Sequence, residues 1–199
     1  MNPDIVVVSG LPRSGTSLMM QVIHAGGVPA LVDHVRAADA DNPRGYFECE
    51  RVKKLKTDAG WLPEARGKVV KMVSQLLYDL PPAERYRVVF MERDMDEILA
   101  SQEKMLTRLG RATPPRAEMA RAFEMHLNRL HKWLAEQPNV ALLRVRYADV
   151  VARPAEQVAR VDAFLGGRLD VAAAGGAVDP SLYRNKSGPN LPDGKSEPS

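Results

Sequence analysis

Between Gly10 and Ser17 the chain reads GLPRSGTS, a stretch whose glycines and hydroxyls are spaced to hold an anion. Gly10 and Gly15 fit the phosphate-binding pattern G-x-x-x-x-G-K-[ST], and Ser17 stands at its final position. Thr16 takes the place of the lysine, however, and the loop's cation is Arg13, three residues earlier. A loop left by a strand and entered by a helix aims several backbone N–H groups and the positive end of a helix dipole at one point. Pro12 stiffens the turn, and the hydroxyls of Ser14, Thr16 and Ser17 add donors suited to phosphate or sulfate oxygens.

The elements around the loop are those it needs. Residues 4–9, DIVVVS, form a continuous apolar run between Pro3 and Gly10, the pattern of a strand buried on both faces of a parallel sheet. A helix follows over 15–25, with Leu18, Met19, Val22 and Ile23 on one side. Further strands are predicted at 67–73, 86–92 and 139–147, and helices at 94–109, 115–136 and 154–165. Strands alternating with helices imply an α/β fold: a central parallel sheet flanked by helices in three layers, with ligands at the carboxyl ends of the strands.

The chain has 199 residues, 45% of them hydrophobic and 27% charged, which suits one globular domain with a substantial core. We expect that domain to span 1–186, and the Pro-, Gly- and Ser-rich stretch 187–199 to be a disordered tail. With 28 Lys+Arg against 25 Asp+Glu the net charge is only +3, which does not by itself argue for nucleic-acid binding; a local basic pocket for an anionic ligand fits equally well, and no nucleic-acid partner is expected. One cysteine, Cys49, rules out an internal disulfide, and no apolar run reaches the ~20 residues of a membrane span. No secretory signal pattern is present, so a cytoplasmic protein is expected. The sequence leaves a homodimer open.

The hexapeptide PRSGTS, residues 12–17, resembles residue for residue the 5′-phosphosulfate loop of sulfotransferases that use 3′-phosphoadenosine-5′-phosphosulfate (PAPS). A second stretch, VVFMERDMDEILASQ, supplies Arg93 and Ser101 at the spacing of the pair that binds the 3′-phosphate in that family. A third, residues 146–166, is similar to the family's strand-end Tyr followed by a Pro-started helix closing in Phe-Leu-Gly, and it places Tyr147 where relatives flank the adenine. The resemblance runs from about residue 4 to 186 and implies a P-loop NTPase-like fold. It further implies PAPS as co-substrate, 3′,5′-ADP as product, and an acceptor that is a small molecule, lipid or saccharide. Ser14, Gly15, Thr16, Ser17 and Leu18 would line the phosphosulfate, and Arg184, with Lys186 near it, would close over the 3′-phosphate.

Sulfuryl transfer needs in-line positioning, donors on the moving oxygens and a base for the acceptor's proton. No metal is called for. Arg13 is the first cation in that role. The segment GKVVKMVSQLLYDLP resembles the family's strand ending in Lys-Thr-His, which puts Lys71 beside the bridging oxygen of the leaving group. The histidine that serves as base in cytosolic relatives is Val73 here. Other branches take a glutamate from the segment after the first helix. The candidates for the base are therefore Glu48, then His34, then Asp33, with Asn42-Pro43-Arg44-Gly45 as a turn and Glu48 at the start of the next helix, where the dipole favours its ionised form.

His24, His126 and His131 fall in helical stretches and read as packing or surface residues; Trp61, Trp133, Met105, Met119 and Met125 read as core, some of them candidates for an acceptor pocket. Two alternatives stay open on the sequence alone. One is a P-loop kinase of a small metabolite, with Glu92 or Asp94 on Mg²⁺. The other is a nucleotide-binding relative without turnover.

Overall fold

The run IVVVSG forms β1 (Ile5–Gly10), and all six of its residues are buried. It is flanked on one side by β2 (Val69–Val73) and on the other by β3 (Tyr86–Glu92), which in turn pairs with β4 (Val140–Arg146); all pairs are parallel, in the order β2-β1-β3-β4. A strand with neighbours on both edges and helices on both faces has no wet side, which is why β1 needs consecutive β-branched residues rather than alternation. The computed structural model describes residues 3–33 and 47–179. Within them, no helix is long and apolar enough to cross a membrane.

Alternate residues of each strand feed two cores. Ile5, Val7, Met72 and Phe90 pack with Leu130 and Leu134 of α4 (Arg116–Ala135) and with Trp61 and Leu62, the latter at the start of α2 (Leu62–Ala65). Val6, Val8, Val89 and Met91 pack with Met19, Met20, Val22 and Ile23 of α1 (Thr16–Ala25) and with Val158, Val161 and Leu165 of α6 (Pro154–Leu165). The result is the three-layer α/β architecture with a central parallel sheet. The remaining helices are α3 (Met95–Arg108), α5 (Tyr147–Ala152) and α7 (Val171–Gly176).

The boundaries depart from the sequence reading where local backbone chemistry intervenes. Gly67, at φ +73°, turns the chain, so β2 begins at Val69. Tyr147, expected at a strand end, opens α5; this short helix is broken from α6 at Arg153, with Pro154 in the first turn of the next. After Cys49, which is extended, the chain makes only a 3-10 turn, Glu50–Lys54, so Glu48 lies before a short turn rather than at the start of a full helix. Met125, read as core, is 51% exposed, whereas Trp61 is buried.

His131 of α4 lies edge-on to Phe90, ring centroids 5.1 Å apart. Burial, reinforced by Arg144 and opposed by Glu92, holds its pKa below the usual 6.5. A histidine depressed in the fold is protonated first in the unfolded chain, so stability falls as pH drops through 6.5 toward the folded value. We expect the melting temperature to decline between about pH 7 and about pH 5, and His131→Phe to flatten that slope in calorimetry. Its Nε2 has no partner among the described residues, so the substitution removes no bond there.

Candidate functional site

In the order β2-β1-β3-β4 the chain crosses from one side of β1 to the other, and the crevice of such a sheet opens at the carboxyl ends of the strands where the direction reverses. The loop after β1 and the residues after β3 meet there.

Close packing dictates the loop's glycines. A Cβ on Gly10 would stand 2.4 Å from the Ser14 Oγ and 2.7 Å from the Met91 carbonyl oxygen. One on Gly15 would stand 2.3 Å from the Tyr147 ring, and Gly15 also has φ +98°. Arg13 adopts φ 69° between them, a conformation uncommon for a side-chain-bearing residue outside functional turns. Ser14 N–H closes the turn onto the Leu11 carbonyl at 3.2 Å. No side chain caps the start of α1, and its first turn carries no acidic residue, so the positive helix end is left to whatever enters the loop. The buried Ser14 Oγ has no hydrogen-bond partner among the described residues.

Two clusters converge on this loop. On the β3 side, Arg13 Nε donates to Ser101 Oγ at 2.9 Å, and Arg93 Nη1 donates to the Arg13 carbonyl at 3.2 Å. Arg93 Nε also pairs with Glu97 at 2.8 Å, both side chains being nearly buried at 9% and 3% exposure. The Arg93 guanidinium lies 4.6 Å from the centre of the Tyr147 ring. Tyr147, itself buried, has its hydroxyl pKa raised by that burial. Its ring supports both Gly15 and Arg93. On the β2 side, Lys71 Nζ lies 3.2 Å from Ser17 Oγ and 3.3 Å from Glu48 Oε1.

The other sequence-singled residues fall as follows. Thr16 and Leu18 are half-buried in the first turn of α1, with Leu18 against the second core. Asp33 receives the Glu50 N–H on its carboxylate and gives its own N–H to the Glu48 carbonyl, which ties the segment after α1 to the 3-10 turn. His34, Arg184, Lys186, the turn 42–45 and the tail 187–199 lie outside the described residues. Glu92 is bonded to Arg144, and Asp94 caps α3 by accepting the Glu97 N–H at 3.2 Å; the two carboxylates a kinase reading would place on Mg²⁺ are thus both engaged. Glu97 is the residue the sequence reading passed over. Its spacing, four after Arg93 on a helix, was the available signal.

Chemically, the arrangement can seat one anion in the glycine loop and a second at Arg93 and Ser101, with a lysine and a carboxylate side by side at the loop's edge. Such an arrangement suits chemistry that works by positioning and charge.

The model of a family described as "Sulfotransferase family" matches residues 33–170. The match starts beyond the glycine loop, so the loop motif stands apart from it. No curated protein matches the sequence. Among solved structures, the chain is similar to the sulfotransferase domain from the curacin biosynthetic pathway, at 16% identity and TM-score 0.50, covering 93% of this chain and 94% of that one. It is also similar to a sulfotransferase from Alicyclobacillus acidocaldarius, at 14% identity and TM-score 0.47, covering 83% and 82%. At 16% identity the first of these likenesses speaks to the fold alone.

Proposed function

The chain belongs to the sulfotransferase family, and from that premise we propose that it transfers the sulfuryl group of PAPS to a hydroxyl or amine of a small-molecule, lipid or saccharide acceptor. The observation that carries the reading is the joining of two motifs distant in sequence. The loop's Arg13 and the pair Arg93 and Ser101 are locked together by two hydrogen bonds at the carboxyl ends of β1 and β3. A ligand with a 5′ anion and a 3′ anion on one nucleoside needs such adjacency.

The residues present fit that ligand. The glycine cradle leaves no room for a Cβ at Gly10 or Gly15, the helix end has no side-chain cap, and the Ser14 hydroxyl is buried without a partner. The N–H groups and hydroxyls of Ser14 through Ser17, with Leu18 behind them, would hold the phosphosulfate. Arg93 and Ser101 would hold the 3′-phosphate, with Tyr147 fixing the Arg93 plane and Arg184 closing from the C-terminal side. When bound, PAPS supplies an electrophilic sulfuryl group on a stable nucleotide leaving group.

The chain's own groups then divide the work. Arg13, bonded to Ser101 in this structure, would be the cation that offsets charge on the sulfuryl oxygens. Lys71, held between Ser17 and Glu48, would be the donor to the leaving group's bridging oxygen. Glu48 accepts the proton of the acceptor hydroxyl, with His34 and then Asp33 as the next candidates.

Thermal titration tests the cofactor. The protein should be stabilised by 3′,5′-ADP and not by Mg·ATP, and the reverse result would overturn the reading in favour of a kinase. Labelled-sulfate transfer tests the base: Glu48→Gln is expected to lower turnover by about 10²–10⁴ with nucleotide binding intact. Full activity in that variant would pass the role to His34 or Asp33.

A further inference from the structure

The sheet ends at β4, whose one neighbour among the described strands is β3. Tyr86, in register with Val140, gives its N–H to the Asn139 carbonyl at 2.9 Å. In a parallel ladder this commits the backbone groups of Asn139, Ala141 and Leu143 to β3 and turns those of Val140, Leu142 and Arg144 outward. The Val140 N–H is taken by the Gln137 carbonyl at 3.2 Å. The outward N–H groups of Leu142 and Arg144, and the outward carbonyls of Val140, Leu142 and Arg144, have no backbone partner among the described residues. An open edge of this kind is a template for one more strand.

A cavity of about 450 Å³ lies at the amino end of this edge, lined by Asp4, Arg85, Arg87, Asn139 and the first residues of β4. Its walls are fixed by the fold. The Asn139 amide donates to the Glu84 carbonyl at 3.0 Å and the Pro81 carbonyl at 3.4 Å, and Arg87 is held by Asp4 at 2.7 Å and by the Phe164 carbonyl. Arg85 shares the Asp4 carboxylate at 3.2 Å, but its side chain is 62% exposed, and such a surface pair exchanges for another carboxylate at little cost. Along the cavity and the edge, Arg85, Arg87, Arg144 and Arg146 stand against Asp4 and Glu92, four cations to two carboxylates.

That charge selects the occupant. Pairing with β4 of a second copy would set two cationic edges against each other, and charged side chains on an edge are a common bar to such self-association. A bar needs no cavity, however, and the same cations attract an acidic strand. Antiparallel pairing, the more stable mode, brings the carboxyl end of an added segment to the amino end of β4, where the guanidiniums lie. We propose that the β4 edge and the Arg85–Arg87 cavity form a docking site for the carboxyl-terminal end of an acidic, extended segment of a partner protein. Its strand bonds to the outward groups of Leu142 and Arg144, and its terminal carboxylate is held by Arg85. The site lies at the opposite ends of the strands from the glycine loop, so it stands independently of the sulfotransfer reading.

The test uses the full chain and three peptides: acetyl-VEVEV with a free carboxyl end, the same peptide amidated, and acetyl-VKVKV with a free carboxyl end. Hydrogen exchange followed by NMR should find the Leu142 and Arg144 amides unprotected in the chain alone and slowed by acetyl-VEVEV. Calorimetry should find the amidated peptide weaker by roughly 10-fold or more, the margin of a charge-assisted hydrogen bond, and the lysine peptide weaker than its glutamate counterpart. In Arg85→Ala the free acid and the amide should bind alike. Leu142→Pro deletes an outward N–H while sparing the ladder to β3, so it should abolish binding; if that variant does not fold, Arg85→Ala decides. Amides already protected before peptide is added would put a second copy or this chain's own end on the edge and overturn the proposal. Equal binding of acid and amide by the wild type, equal binding of the glutamate and lysine peptides, or unslowed amides at millimolar acetyl-VEVEV would overturn it as well.

Discussion

Gly15→Ala lowers stability by about 2–5 kcal/mol and abolishes binding of 3′,5′-ADP. Two costs add at this position. An L-residue at φ +98° carries strain of about 1–2 kcal/mol, and forcing a methyl into packed side chains costs about 1–3 kcal/mol more. The Cβ would meet the Tyr147 ring at 2.3, 2.9 and 3.2 Å, and Tyr147 cannot retreat without moving the ring that lies against Arg93. Relief therefore displaces the glycine loop and Arg93 together, so binding should fall further than stability. A double-mutant cycle separates the two costs. Tyr147→Ala alone opens a cavity, at about 3–5 kcal/mol for an aromatic side chain. Gly15→Ala/Tyr147→Ala should be less destabilised than the sum of the single variants by about 1–3 kcal/mol, since the clash exists only when both side chains are present. Additive denaturation energies would show that backbone strain alone fixes the glycine.

The parts of this site legible in the sequence are those whose cause is local. The loop announced itself because a tight turn, an anion cradle and a helix start all need particular residue types within eight positions. β1 and β3 announced themselves because strands buried on both faces leave no polar alternation to confuse with a helix. Arg93 and Ser101 were readable as a spacing, but their contact with Arg13 depends on β3 pairing with β1, a fact of sheet order that spacing does not carry. The placements that differed have equally physical causes. Tyr147 continues a β-rich run, yet its ring is drawn under Gly15, and the chain turns helical to deliver it. Glu48 stands before a short 3-10 turn, where Asp33 takes the Glu50 N–H and donates its own N–H to the Glu48 carbonyl, contacts between residues 15 or more apart that no local pattern announces. His126 looked like one more helix residue. Only the docking of α4 over the β2 end, far away in sequence, gives it Ser74 as a partner.

The Arg93–Glu97 pair yields the sharpest separation of folding from binding. Both side chains are almost fully buried, so Arg93→Met strips a guanidinium from a carboxylate that has little water to turn to, at a cost of about 3–5 kcal/mol. Weak binding in that variant would be ambiguous, because a loosened site binds poorly whatever its chemistry. Arg93→Met/Glu97→Leu removes both charges and replaces them with apolar volume, a change that is commonly neutral for a buried pair, so most of the lost stability should return in a denaturant titration. Affinity should not return with it. If Arg93 holds the 3′-phosphate, the double variant loses a charged hydrogen bond to that group, worth about 1.5–3 kcal/mol, and binds 3′,5′-ADP roughly 10- to 150-fold more weakly. Binding of 5′-AMP, which shares everything except the 3′-phosphate, should change little. A double variant that still prefers 3′,5′-ADP over 5′-AMP by the wild-type margin would make Arg93 a structural partner of Glu97 and Tyr147 and move 3′-phosphate recognition to Ser101 and the chain beyond the described residues.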